Sequence, residues 1–269
     1  MVHGIGLSSE LKDINYNYME LISILIATDR ISKYLDDSLQ SLLDQTYNNI
    51  EIVFICNGFN NEIVYDYLAK KFNDERLILH KTPIRQLAYS LNLGLSIAKG
   101  NLIARMDSDD ISLPNRIELQ YEYLLNNKLD LLGTFLELIN SNGSNIGFRD
   151  YPTGTLIRKK IFSTNPFAHN TILCYKQILI DCRGYLGGFN TEDYDMWLRL
   201  NSSDIKWDNL PLYLVKYRIH DESSQKNILS YAEASSHIYK QFLLDPSIKK
   251  MYFFVISFFK VFVLSKSRK

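Results

Sequence analysis

Between Leu21 and Met106 the chain repeats one pattern, a short apolar run followed by a longer stretch with apolar residues at helical spacing. Leu21 to Ala27 (LISILIA), Ile50 to Cys56 (IEIVFIC), Leu77 to Leu79 and Leu102 to Met106 are the runs. They are short and mostly rich in branched residues, so they read as buried strands. Between them, Leu35, Leu39, Leu42 and Leu43 make Ser32 to Gln45 an amphipathic helix, and Ile63, Val64, Tyr67 and Leu68 mark a second. Leu87, Leu91, Leu95 and Ala98 mark a third, with Gly100 read as its cap. Strand and helix alternating at this rhythm predict an α/β fold with a parallel, doubly wound sheet.

In such sheets ligands sit beyond the carboxyl ends of the strands. Three segments follow strands directly: Thr28-Asp29, Asn57-Gly58 and Asp107-Ser108-Asp109-Asp110. The second half is less regular. Pro114 opens a helix to about Asn126, Leu129 to Ile139 reads as a strand, and Asn140 to Gly147 as a polar loop. Residues 170–175 and 212–219 look like strands, and Glu192 to Leu200 like a helix. The division expected is an N-terminal extension (1–20), one domain (21–225, nucleotide-binding to 110 and acceptor-binding from 111) and a helical C-terminal tail (226–269).

Composition narrows the partners. Lys and Arg together number 30, as do Asp and Glu, so there is no electrostatic case for nucleic acid. Cys56, Cys174 and Cys182 form neither a disulfide framework nor a zinc site, which suits a reducing compartment. The first residues lack the basic start and apolar core of a secretory signal, so a cytoplasmic location is expected. Near the C-terminus, Tyr252 to Leu264 reads YFFVISFFKVFVL. As a helix this run covers about 20 Å, short of a bilayer core of about 30 Å, and Lys260 interrupts it. The expectation is a helix lying in the inner face of the plasma membrane, with Lys266, Arg268 and Lys269 near anionic headgroups. The other way to cover such a run is against the protein itself or in a homodimer.

Asp107, Asp109 and Asp110 would repel one another at the end of an apolar strand, and a divalent cation removes that penalty. Oxygen-ligated Mg²⁺ or Mn²⁺ is held by one or two carboxylates plus phosphate oxygens, so the motif suits a nucleotide diphosphate. The segment Gly187-Gly188-Phe189-Asn190-Thr191-Glu192-Asp193 sets an acidic pair at a helix start. It has two readings: ordinary capping by Thr191 or Asn190, or a general base for an acceptor hydroxyl. His220 and His169 lie in Tyr-Arg-Ile-His and Asn-Pro-Phe-Ala-His-Asn segments, and neither is persuasive alone. No phosphate loop, dinucleotide fingerprint or nucleophile elbow competes.

Taken together, ISILIATDR, SLLDQTYNNIEIVFICNG, LNLGLSIAKGNLIARMDSDDISLPNR, NPFAHNT, GGFNTEDYDMW and YRIH stand in an order that resembles the family 2 glycosyltransferases. The branch resembled makes bacterial capsule, O-antigen or lipooligosaccharide. The resemblance implies a GT-A fold, with a Rossmann-like, mostly parallel central sheet flanked by helices. It also implies roles for particular residues. Thr28, Asp29 and Arg30 would line the nucleotide pocket, and Asn57 stands where most members carry an Asp against the base. Asp107 and Asp109 would hold Mn²⁺ or Mg²⁺ with His220, while Arg105 and Arg116 would meet phosphate or fix the loop. Asp193, beside Glu192, matches the catalytic base. Trp197 and His169 would serve the acceptor site. The family's usual Asp-Asp-Gly-Ser is Cys56-Asn57-Gly58-Phe59 here, so the usual carboxylate is absent.

The reaction expected is inverting transfer from a nucleotide-diphosphate sugar, UDP-sugar first, to a glycan or lipid-linked glycan in surface polysaccharide biosynthesis. Two alternatives remain. A nucleotidyltransferase shares the sheet and the carboxylates, although Ile26 to Arg30 offers no Gly-rich triphosphate loop. A catalytically silent subunit keeping the fold is suggested by the altered Cys56-Asn57 segment.

Overall fold

The structure is a computed structural model that describes residues 19–188, 190–220 and 228–266. Nearly all of the expected N-terminal extension therefore lies outside the described residues, as do Phe189, Arg268 and Lys269. The first half alternates as its periodicity predicts: β1 (Ile22–Thr28), α1 (Leu35–Leu43), β2 (Ile50–Asn57), α2 (Asn61–Lys71), β3 (Leu77–Thr82), α3 (Leu87–Ile97) and β4 (Leu102–Arg105). β1, β2, β3 and β4 pair in parallel in the order β3-β2-β1-β4.

Their side chains alternate between two cores, one on each face of the sheet. Ile22, Ile24, Ile26, Ile52 and Phe54 pack with Leu35, Leu39 and Leu42 of α1 and with Leu68 of α2. Leu25, Val53 and Ile55 point to the opposite face, with Leu91 and Leu95 of α3. Both faces are covered, so the strands read as continuous apolar runs.

Gly100 is not the left-handed cap expected of it. A Cβ there would lie 2.4 Å from the Leu21 carbonyl oxygen, so the residue is small because two backbones meet.

The second half adds β5 (Ile111–Ser112), α4 (Arg116–Asn126), β6 (Leu131–Ile139), β7 (Asn145–Arg149), α5 (Thr155–Lys160), a 3-10 turn at His169–Thr171 and β8 (Leu173–Tyr175). Then come α6 (Lys176–Asp181), α7 (Glu192–Leu200), β9 (Trp207–Arg218), α8 (Ile228–Leu244) and α9 (Ile248–Lys266). The sheet continues β4-β8-β6-β9-β5 with mixed direction. Two expectations fail here. Part of the polar segment read as a loop is a strand, because Asn140 Oδ1 accepts the N–H groups of Asn142 and Ser144 and folds a hairpin that pairs β7 with β6. The last strand begins at Trp207 rather than 212, and its register against β6 slips where Pro211 stands.

α8 and α9 pack together, and α8 packs on α7. Among the described residues no helix is long and apolar enough to cross a membrane.

Candidate active site

The C-terminal ends of β1 and β2, with the segment following β4, open on one cleft of about 740 Å³. Thr28, Asp29, Arg30, Asn57, Asp107, Asp109 and His220, all singled out from sequence, line it together with Lys33, Tyr34, Arg85, Gln86 and Ser141, which were not. A larger hollow of about 930 Å³, between Tyr123, Tyr151 and Asn209, contains none of the predicted residues.

At the β2 end, Asn57 is buried and its Nδ2 donates to Ser90 Oγ at 2.8 Å. Its Oδ1 is buried with no partner, an acceptor that a ligand N–H would satisfy. Asp29 is already occupied, by Arg30 Nε at 2.9 Å and Arg85 Nε at 2.5 Å. Burial pushes its pKa up, but the two arginines outweigh that and hold it below the usual carboxylate range.

At the β4 end, one oxygen from each of Asp107, Asp109 and Asp110 can lie within 4.8 Å of the others. Each is held from outside. Asp107 pairs with Arg105 Nη1 at 2.6 Å, and Asp109 lies 2.8 Å from His220 Nε2. Asp110, which is fully buried, accepts the Arg218 N–H at 2.8 Å and the Asn170 amide. β5 pairs with β9, which is how the end of β9 reaches the aspartate loop from far along the chain. Arg218 also donates to the Asp109 carbonyl at 2.9 Å.

Burial and the neighbouring carboxylates raise the pKa of Asp109 and raise that of Asp110 well above the ordinary value. The cluster is therefore short of positive charge. Hard oxygen donors in that state fit a divalent cation.

Arg116 does not reach the cleft. It is fully buried, donating to the Arg105 carbonyl at 2.8 Å and Gln120 Oε1 at 2.9 Å. Of its two expected roles, it fixes the strand end and meets no phosphate. Burial, then Arg105, pushes its pKa down to about 9.

Glu192 and Asp193 begin α7. Thr191 stands at the N-cap with Glu192 and Asp193 in the first turn, as the capping reading has it, but its side chain makes no capping bond. Asp193 Oδ2 accepts from Asn165 Nδ2 and Oδ1 from the Tyr194 N–H, each at 2.7 Å. Asp193 lines a second groove of about 550 Å³ with Asn165, Tyr231, Phe253 and Lys260. Burial, then Asp193, pushes Glu192 up to about 7, and burial raises Asp193 as well. The Arg105 charge, paired with Asp107, opposes both shifts from a distance.

His169 Nε2 lies 3.0 Å from the Tyr185 hydroxyl, and burial, then Arg105, holds its pKa well below the ordinary value, so the ring is neutral. Trp197 is fully buried, edge-on to His169 with centroids 6.3 Å apart and against Phe167 at 5.1 Å. Its spacing on α7 points it into the core, so any service to an acceptor site is support from within and not stacking.

Sequence reasoning counted Asp110 among the clustered carboxylates but gave no role to Arg85, Arg218 or Asn165. Arg218 and Asn165 stood inside motifs already singled out. Arg85 carried no signal beyond its charge.

A family model described as glycosyl transferase family 2 matches residues 23–184. The chain is 42% identical to the O-antigen biosynthesis glycosyltransferase WbnJ of Escherichia coli, over 86% of this chain and 92% of that protein. It is 30% identical to an uncharacterized glycosyltransferase of Methanocaldococcus jannaschii, over 91% of this chain and 86% of that one. Among solved structures, S. aureus TarS 1–349 in complex with UDP-GlcNAc aligns with a TM-score of 0.63 at 15% identity. That alignment covers 91% of this chain and 81% of TarS 1–349, a likeness of fold.

Glu192 provides a stability test. An acid whose pKa is raised on folding costs nothing below its unfolded value near 4.5 and costs most above its folded value of about 7. Glu192→Gln is expected to raise Tm by several degrees at pH 8, with the gain shrinking toward zero as pH falls to 4.5. A scan of Tm against pH for both proteins checks this, and a gain independent of pH would refute the assignment.

Proposed function

The chain belongs to glycosyl transferase family 2, and we propose that it transfers one sugar from a UDP-sugar to a hydroxyl of a lipid-linked surface glycan, inverting the anomeric carbon. The observation that carries this reading is the cleft at the ends of β1, β2 and β4, lined by Asp107 and Asp109 with His220 and by Asn57, whose buried Oδ1 has no partner. Arg105 pairs with Asp107, and its charge also favours the ionised forms of Glu192 and Asp193.

On the donor side, the unpaired Asn57 Oδ1 would accept the ring N–H of uracil, in place of the carboxylate that the family usually has there. Arg30, Lys33 and Arg85 border the same cleft and supply positive charge for the diphosphate. Asp107 and Asp109, with Asp110 and His220 behind them, would hold Mn²⁺ or Mg²⁺, which neutralises charge building on the diphosphate. On the acceptor side, Asp193 takes the proton as the acceptor oxygen attacks the anomeric carbon. The bond from that carbon to the diphosphate oxygen breaks on the opposite face, and UDP departs with the electron pair. Burial strengthens Asp193 as a base, while Asn165 and the Tyr194 N–H fix its two oxygens in place. The nucleotidyltransferase alternative loses ground to family membership. The silent-subunit alternative is opposed by the retained acidic groups.

The apolar surface of the hairpin supports a peripheral place at the inner face of the plasma membrane. Tyr252, Val255, Phe258 and Phe259 on α9 are exposed, as are Leu243 and Leu244 at the end of α8. A homodimer would cover the same surface.

Three measurements test the reading. Asp193→Asn is expected to lower turnover by about 10² to 10⁴ while UDP binding stays intact; undiminished turnover overturns the base assignment. Asp109→Ala is expected to abolish the Mn²⁺-dependent part of UDP binding in calorimetry, and unchanged binding with and without Mn²⁺ removes the metal role. The chain should float with phosphatidylglycerol vesicles, and the Phe258→Ser, Phe259→Ser double variant should not. A chain that stays with the soluble fraction and sediments as a dimer assigns the surface to self-association instead.

A further inference from the structure

The first turn of α7 is held by another helix. The Thr191 hydroxyl turns away from its own helix and donates to Glu233 Oε2 of α8 at 3.0 Å, and His237 Nε2 lies 3.1 Å from Thr191 Oγ1. Glu233 Oε2 also accepts the Asn190 N–H at 3.1 Å. On the far side of the acidic pair, Asp195 is 1% exposed and pairs with Lys240 of α8, with His237 Nδ1 at 3.6 Å. The other oxygen of Asp195 takes Arg199 Nε at 2.7 Å, and Arg199 Nη2 donates to the Gly184 carbonyl at 2.8 Å.

Residues 233, 237 and 240 recur at four and three, so they lie on one face of α8. That face grips Asn190 and Thr191 before the acidic pair and Asp195 after it. A local cap would satisfy the helix end, but it would leave the direction of the helix axis unset. Contacts on both sides of Glu192 and Asp193 set it.

We infer that Glu233, His237 and Lys240 are positioning residues for the acidic pair, so that α8 is part of the active site although it lies beyond the expected domain end at residue 225. The inference rests on Asp193 being the base. Glu233 acts through Thr191 and Asn190, His237 through Thr191 and Asp195, and Lys240 through Asp195. Displacing a reacting group by about 1 Å costs on the order of 10² in rate.

A double-mutant cycle separates positioning from simple support of the fold. Glu233→Ala is expected to lower kcat roughly 10- to 100-fold, with donor KM and Mn²⁺-UDP affinity within about twofold of the original. Glu233→Gln should restore most of kcat, because its amide oxygen still accepts both bonds. In the Asp193→Asn background, Glu233→Ala should cost nothing further, since the base it orients is gone. Undiminished kcat in Glu233→Ala, or a loss that persists in full in the Asp193→Asn background, overturns the inference. If Glu233→Ala no longer binds Mn²⁺-UDP and so has not folded, Thr191→Val leaves α8 intact and is read by the same cycle. Full turnover by Asp193→Asn alone sinks the base assignment and this inference with it. An inactive Asp193→Asn beside a fully active Glu233→Ala sinks this inference only.

Discussion

Arg105 is the charge on which the site depends. Its side chain is 3% exposed, and placing a guanidinium there costs several kcal/mol unless carboxylates surround it. Burial alone would lower its pKa, yet Asp107, then Tyr185 and Glu192, more than reverse that and raise it. The relation is mutual. Glu192 and Asp193 are raised even with that charge acting on them, and without it their ionised forms would cost more still. One buried cation therefore acts on acidic groups from two distant parts of the chain, by direct pairing with Asp107 and through its field at Glu192 and Asp193.

The sheet supplies the address. β4 ends at Arg105, and Arg116 closes over that end by donating to its carbonyl. The parallel half of the sheet aligns the ends of β1, β2 and β4 along a single edge. The mixed half returns β9 antiparallel to β5, so that Arg218 and His220 close on the aspartate loop. A purely parallel sheet would have carried those residues to a strand end with no partner running back beside the loop. The mixed half is thus what brings His220 to the cleft at the parallel strand ends.

The parallel half was legible because burial on both faces leaves an unbroken apolar run, which survives in any sequence that must fill two cores. Asp107 and Asp109 were legible because clustered carboxylates are costly without a counter-charge. The full burial of Trp197 was not legible in its motif, where it stands close to the acidic pair. The remaining side chains of α7 follow helical periodicity into the core. For Arg116 the sequence left two roles open, because a charged residue beside an acidic loop also suits a ligand contact; full burial and its bond to the Arg105 carbonyl give it the structural one. β7 was hidden because its hairpin is made by side-chain bonds of Asn140 in a polar stretch. The contribution of α8 left no local trace, since a Glu, a His and a Lys on a half-exposed helix are what solvent-facing positions also look like.

That last point bears on how the C-terminal region should be divided. A boundary at residue 226 treats α8 and α9 as a tail, yet the two helices face opposite ways. α8 turns Glu233, His237 and Lys240 inward to the helix that carries the acidic pair. α9 leaves Tyr252 and Phe259 more than half exposed, while Phe253 packs on Phe162 at the wall of the groove that Asp193 lines. Ser257 of α9 donates to Ser235 of α8 at 3.1 Å, fastening the outer helix to the inner one. The hairpin cannot be lifted from the domain without releasing the first turn of α7 and opening one side of that groove. Its polar inner face and apolar outer face are a single amphipathic unit whose inner contacts hold the first turn of α7, and the packed unit of the fold therefore extends into α9.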